Sequence, residues 1–313
     1  MKNQLIRAAL QCAKPWIRPH TSDRAFLVVS TTGLGDTLWA TPALQSLRDS
    51  FPTARLELLT TPLGAELLAS NPNLDALHTR TPWGHRYSDI LLFHTSQRLV
   101  LPRCTLLGAT RIVGTAGQHK GLDDLLTDPL PPLHQHEIER RLAMVEHIGG
   151  RITTRALSYP HAETRDPHLV ALHPGAKEAY RRWPASHFIE LGRRLKRPIV
   201  VTGTPGEPID AIARAIPGAT AFQGSLTELA RLLARCSLVI SNDTGPFHLA
   251  IAVGTPAIGL YAPTDPTLCG PYHAPHAKII AKRPTCRPCV RKQCPEPFCL
   301  RQISVDEVLR ETR

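Results

Sequence analysis

Aromatic side chains are scarce, with seven Phe, five Tyr and four Trp in 313 residues. The cores must therefore be built chiefly from aliphatic residues, and few rings are left to stack on nucleic-acid bases. No apolar run is long enough to cross a bilayer as a helix. Gln4, Arg7, Gln11 and Lys14 interrupt any apolar stretch that could serve as a secretory signal, so the expected compartment is the cytoplasm. Disulfides are not expected in that reducing setting. Acidic residues are also in deficit, at 26 against 37 Lys and Arg, which leaves a formal net charge of +11. Such a balance suits an anionic partner: nucleic acid, an anionic membrane face or a phosphorylated substrate.

The excess charge is uneven. Lys278, Lys282, Arg283, Arg287, Arg291, Lys292 and Arg301 face only Glu296, and Lys2, Arg7, Lys14, Arg18 and Arg24 face only Asp23. Each stretch is either a solvated basic surface or a steering patch. The first turns, from Leu5 to Ile17, mix basic and apolar residues; they form either a loosely packed leader helix or one that lies on an anionic membrane. What is abundant is proline, with 29 residues, which excludes a single long helical bundle. A hydrophobic content of 42% excludes wholesale disorder.

Short apolar runs alternate with helix-like stretches. Strands are expected at 26–30, 55–60, 88–93 and 111–114, with a helix over 37–49 and another over 136–148. Residues 114–133 read as loop and 149–167 as linker. The pattern then restarts, with strands at 169–172, 198–202, 238–240 and 257–261. Helices are expected over 184–195, 207–216 and 226–236, the last capped by Ser225. This is an α/β chain of two doubly wound halves, with a boundary at 160/161.

Three motifs sit where strands end. Gly33-Leu34-Gly35-Asp36 resembles half of a dinucleotide fingerprint, but Trp39 stands where the third glycine belongs. Its glycines allow a tight turn close to a ligand. A carboxylate at a helix start repels phosphate, so Asp36 is either an N-cap or a general base. Ser241-Asn242-Asp243-Thr244-Gly245-Pro246-Phe247-His248 joins a buried strand to a helix, whose first amides suit a diphosphate. His248 is then either a structural residue or a phosphate contact. His173-Pro174-Gly175-Ala176, with Lys177, Arg181 and Arg182, is either an exposed basic loop or a second half-cradle in which two guanidiniums grip the diphosphate.

The order and spacing of these motifs, with Arg182-Trp183-Pro184 and Tyr261-x-Pro263-Thr264, resemble glycosyltransferase family 9, the ADP-heptose:lipopolysaccharide heptosyltransferases. The similarity runs from about Phe26 to Leu309. The resemblance implies a GT-B fold, with two Rossmann-like domains facing across a cleft. Residues 1–160 would take the acceptor and 161–313 the nucleotide-sugar donor. It implies an inverting transfer in which Asp36 is the base. Asp243, Thr244, Gly245 and His248 would bind the donor, Arg181 would stand where the family has a lysine, and Glu207 would lie near the nucleoside. No metal is required, and no Asp-x-Asp motif is present. The partners implied are a nucleotide sugar and an anionic glycolipid on the inner membrane, where the enzyme would bind peripherally; no nucleic acid is expected.

Cys286-x2-Cys289-x4-Cys294-x4-Cys299 has spacings that can surround a structural Zn²⁺ or iron ion, or leave four reduced thiols. Many members of the resembled family carry a similar segment. Cys12, Cys104, Cys236 and Cys269 are expected to be buried thiols. Two rivals remain open: another nucleotide-sugar enzyme such as an epimerase, or a dehydrogenase, and a basic nucleic-acid-binding protein with a four-cysteine metal site.

Overall fold

The structure, a computed structural model, describes residues 2–13, 23–95, 97–132, 134–284, 286, 294 and 298–312. The chain divides into two compact units, Met1–Arg155 and Ala156–Arg313. No helix or strand occurs between α6 and β7, the elements on either side of that division.

The first unit contains α1 (Lys2–Ala13), β1 (Ala25–Thr31), α2 (Leu34–Leu38), α3 (Thr41–Ser50), β2 (Arg55–Thr60), α4 (Pro62–Leu68) and β3 (Ala76–His78). It continues with β4 (Asp89–Thr95), α5 (Val100–Thr105), β5 (Arg111–Thr115), β6 (Asp128–Leu130) and α6 (Glu137–His147). All its strands pair in parallel, in the order β3-β2-β1-β4-β5-β6. Strand β1 is buried along its whole length, as a central parallel strand covered on both faces must be.

The second unit contains β7 (Val170–His173), α7 (Ala185–Leu195), β8 (Ile199–Thr202), α8 (Ile209–Arg214), β9 (Thr220–Phe222), α9 (Leu226–Arg235) and β10 (Leu238–Asn242). Then come α10 (Gly245–Ala252), β11 (Ala257–Tyr261), α11 (Pro266–Cys269), β12 (Ala277–Ala281), α12 (Phe298–Arg301) and α13 (Val305–Glu311). Its parallel sheet runs β12-β11-β10-β7-β8-β9. Counted within each unit, both sheets have the Rossmann order 3-2-1-4-5-6. Each therefore reverses direction beside its first strand, between β1 and β4 and between β7 and β10, and the crevice for a ligand opens at the carboxyl ends of those strands.

Several expectations change. The single helix over 37–49 is two helices, α2 and α3, separated by Trp39 and Ala40. Pro42 is the reason: inside one continuous helix its ring would strike the carbonyl of Leu38, whereas near the start of α3 it is tolerated. The loop read over 114–133 contains β6. Helix α8 starts at Ile209, two residues later than expected, just after Pro208. The aliphatic-core expectation holds better for the first unit than for the second, where Trp183, Phe188, Phe247 and Tyr261 are all buried. Cys104 and Cys236 are buried, and burial pushes both thiols up to about 12. Cys12 is exposed, against expectation, because α1 buries none of its residues. That helix packs Ile6 against the first unit's core and is tied at its rim by polar bonds: Arg7 pairs with Asp124 at 2.8 Å, and Asn3 donates to the carbonyls of Lys120 and Gly121.

Candidate active site

In the first unit the crevice is built from charged side chains. Asp36 lies in the first turn of α2, immediately after β1. It caps nothing: Gly33 is the N-cap and makes no side-chain capping bond. Gly33 has φ −77°, which any residue adopts, so conformational freedom is not what glycine supplies there. A Cβ at Gly33 would meet only the Asp36 carboxylate, at 3.9 Å, so the glycine leaves open space beside that oxygen. The Asp36 carboxylate is 23% exposed, and Arg141 Nη2 reaches its Oδ1 at 3.4 Å.

Arg141 comes from α6. His136 caps that helix through Ile138 N, Glu137 and Glu139 occupy its first turn and His147 its last, all in keeping with the helix dipole. Ile138, Leu142 and Val145 form its buried stripe, and Arg141 lies among them at 1% exposure. Its Nη1 donates to Glu137 Oε2 at 2.8 Å and to the Glu137 carbonyl at 2.6 Å. Burial pushes the Glu137 carboxyl up, but Arg141 and Arg140 more than offset this and hold it below the usual range. His94, on β4 at the same crevice, completes the group: one side-chain polar atom each of Asp36, His94 and Glu137 lies within 4.8 Å of the others. Sequence reasoning missed His94, Glu137 and Arg141. The available signal was a cation on the apolar stripe of an amphipathic helix.

In the second unit the crevice is built from backbone and buried polar ties. Asn242, at the end of β10, accepts from Trp183 N at 3.0 Å and donates to the Pro174 carbonyl at 2.8 Å. One amide side chain thus binds the loop after β7 to the strand across the switch point. His173 ends β7 with Nδ1 3.0 Å from Thr202 Oγ1, and burial pushes its imidazole down to about 4. A Cβ at Gly175 would stand 2.3 Å from Glu207 Oε1, so glycine lets this carboxylate lie where it does. Glu207 Oε2 in turn accepts from Thr204 N at 2.7 Å. A cavity of about 250 Å³ lies beside these groups, lined in part by Gly175, Trp183, Pro184, Glu207 and Ile212.

Thr244 is the N-cap of α10 with extended backbone and no side-chain capping bond; Pro246 has no N–H and Phe247 N donates to the Thr244 carbonyl at 3.2 Å, so within the first turn the Gly245 amide is the one left for a ligand. Asp243 is only 4% exposed, and its Oδ2 faces Arg181 Nη1 at 3.5 Å. Burial pushes the Asp243 carboxyl up, and Arg181, Thr264 and Tyr261 only partly offset it. Burial lowers the proton affinity of Arg181, but Asp243 and Tyr180 outweigh it, so the guanidinium stays charged. Its Nε–H finds no acceptor among the described residues. Arg182 Nε donates to the Ala176 carbonyl at 2.8 Å and so shapes the loop, and the residue also lines the cavity. His248 is buried one turn into α10, edge-on to Phe247. The structure thus gathers His173, Gly175 and Glu207 in one cluster and Arg181, Asp243 and Thr244 in another, joined through Asn242. Among the cysteines of the cluster, Cys286, Cys294 and Cys299 are described and take part in no disulfide, while Cys289 lies outside the described residues.

Two Rossmann-type units in one chain, each with its loops at a switch point, are the make-up of a GT-B glycosyltransferase. The profile of "Glycosyltransferase family 9 (heptosyltransferase)" matches residues 133–299, more than half of the chain. The chain belongs to that family. The matched span takes in α6 and the second-unit loops but not Asp36.

Among curated relatives, it is 25% identical over 288 residues to lipopolysaccharide heptosyltransferase 3 of Escherichia coli, covering 76% of this chain and 82% of that one. It is 23% identical over 313 residues to lipooligosaccharide heptosyltransferase 2 of Campylobacter jejuni, covering 90% and 95%. Among solved structures, a family 9 glycosyltransferase of Veillonella parvula superposes with a TM-score of 0.78 at 20% identity, covering 94% and 98%. The E. coli heptosyltransferase WaaC with ADP superposes with a TM-score of 0.76 at 19% identity, covering 92% and 98%.

Proposed function

We propose that this glycosyltransferase moves heptose from ADP-heptose onto a lipopolysaccharide-type core acceptor, with inversion at the anomeric carbon. Membership of the heptosyltransferase family carries the reading. The residues supply a mechanism for it. Asp36, oriented by Arg141, accepts the proton of the attacking acceptor hydroxyl. As the bond to the sugar breaks, negative charge grows on the leaving diphosphate. Arg181 and the amides of Thr244 and Gly245 at the head of α10 are the groups to stabilise it. Asp243 holds the Arg181 guanidinium rather than touching phosphate, because a buried carboxylate there would repel it. Glu207 accepts from the hydroxyls of a nucleoside seated in the cavity beside Gly175. His173 and His248 are positioning residues of this donor site, and Gly33 and Gly35 keep the approach to Asp36 open. On this reading residues 1–160 serve the acceptor and 161–313 the donor.

No described helix is long and apolar enough to cross a membrane, and the net charge of +11 suits an anionic glycolipid. The reading therefore places the enzyme in the cytoplasm, peripheral to the inner membrane face. The four cysteines would hold a structural zinc or iron ion and take no part in transfer. The test is direct: purified protein is given ADP-heptose and a heptose-deficient core acceptor, and ADP release and the product's anomeric configuration are followed. Release of ADP with an inverted heptoside supports the reading. Stable binding of a UDP- or GDP-sugar with indifference to ADP-heptose overturns it.

A further inference from the structure

A glutamate in the middle of Arg55-Leu56-Glu57-Leu58-Leu59 is out of place, because a buried parallel strand normally reads as a continuous apolar run. Glu57 is nonetheless 2% exposed. Two histidines from different segments meet on one of its oxygens. His78 Nε2, from the end of edge strand β3, lies 2.7 Å from Glu57 Oε2, and His85 Nδ1, from the connection to β4, lies 3.2 Å from the same atom. The two rings are 5.2 Å apart and nearly perpendicular, at 81°, so they converge rather than stack. One side-chain polar atom of each residue lies within 4.8 Å of the other two.

We propose that Glu57, His78 and His85 form a binding site for a divalent transition-metal ion, with zinc as the archetype. Two imidazoles and a carboxylate are a donor set suited to Zn²⁺. Ligand bonds of about 2.0–2.2 Å in a tetrahedron put ligand atoms about 3.3 Å apart. The His85 contact at 3.2 Å already has that spacing, and the His78 contact at 2.7 Å needs to open by about half an ångström. Binding exchanges a ring N–H facing the carboxylate for a lone pair facing the ion, and a neutral imidazole does this by moving its proton to the far nitrogen.

The outer partners are in place. Arg55 Nη1 donates to Glu57 Oε1 at 2.9 Å and orients the carboxylate so that Oε2 faces both imidazoles; the same nitrogen lies 3.4 Å from His85 Nδ1 and must draw back from it as the ion enters. Tyr87 donates to Oε2 at 2.5 Å and backs the carboxylate from the buried side. The His85 side chain is 41% exposed and gives the ion a way in. Bound there, the ion would pin the three-residue edge strand β3 and the connection to β4 onto β2. Glu57 pairs with Leu27 in the first half of β1, whereas Asp36 follows that strand's carboxyl end, so the site is separate from the transfer machinery and does not rest on the proposed function.

The test uses the full chain, stripped with chelator and titrated with Co²⁺. Besides any ion held by the cysteines, which shows a near-ultraviolet thiolate-to-cobalt charge-transfer band, the parent should take up one further equivalent that adds visible d–d absorption without adding to that band. His85→Ala, a change at a half-exposed side chain, should lose that equivalent and the accompanying zinc-dependent rise in Tm while heptosyl transfer stays within about twofold of the parent. Changing Cys286, Cys289, Cys294 and Cys299 to Ser should leave the same equivalent in place. Uptake and spectrum unchanged in His85→Ala would overturn the proposal, as would a parent chain that binds cobalt only through thiolate. A folded His78→Ala chain that still binds with parental affinity would do the same.

Discussion

The two units share one strand order and use its switch point in opposite ways. In the first, the crevice beside β1 is furnished by side-chain charge: Asp36 on one short helix, Arg141 and Glu137 on another, His94 on the neighbouring strand. In the second, the crevice beside β7 relies more on backbone: glycine loops, the Gly245 amide at the head of α10, and an asparagine that ties two segments together, with the Arg181–Asp243 pair beside them. A shared topology decides where a ligand can sit, and the residues placed there decide what happens to it. Charge on side chains suits a proton in transit. Backbone donors suit a diphosphate that must be gripped without being attacked.

The sharpest way to break that contrast is at Asp36. Asp36→Ala should lower the turnover of heptosyl transfer by about 10²–10⁴-fold, the range for a lost general base, while the affinity for ADP-heptose measured by calorimetry changes little. Turnover near that of the parent would remove the first unit's claim to the chemistry. The counterpart in the second unit is Asn242→Ala. It leaves Trp183 N and the Pro174 carbonyl without their partner in a buried setting, which should cost about 2–4 kcal/mol in urea unfolding and loosen donor binding along with it.

His173 tests burial in the same unit through pH. Its imidazole is held at about 4 in the fold against 6.5 when exposed, so between those values the unfolded chain takes up the proton that the folded chain refuses. The stability due to neutral His173 is thus complete above about pH 6.5, and about 3 kcal/mol of it is lost as pH falls to about 4. His173→Gln should flatten that limb of the stability curve measured by denaturant titration at successive pH values. The glycines give the smallest and most direct comparison. Gly175→Ala drives a methyl group into the Glu207 carboxylate and should cost about 1–3 kcal/mol. Gly33→Ala meets open space, so its cost should be no more than that of replacing glycine at an N-cap, about 0.5–1 kcal/mol. Equal costs for the two would show that the first crevice is packed as tightly as the second.

Most long strands were legible because their apolar runs stand out between glycine and proline loops. Four strands escaped: β3, β6 and β9 have three residues each, too few to display a period, and the edge strand β12, Ala277–Ala281, is largely unburied and carries Lys278 in place of an apolar run. The donor loops were legible because a strand-turn-helix junction is local in sequence. Arg141 was not, since its meaning depends on Asp36 across 105 residues of chain. The tie of Arg182 Nε to the Ala176 carbonyl was not legible for a related reason: it exists only once the loop has folded.

By itself the sequence determined the α/β alternation, the two-half organisation, the Ser225 cap and the family, because each depends on neighbours a few residues apart or on the order of motifs. Only the tertiary structure decided which charges meet. The pairing of Arg141 with Asp36, of Arg181 with Asp243, and of two histidines with a buried glutamate joins segments that are distant in the chain. Those pairings hold because burial makes an unpaired charge costly, and burial is a property of the packed fold rather than of any one stretch of residues.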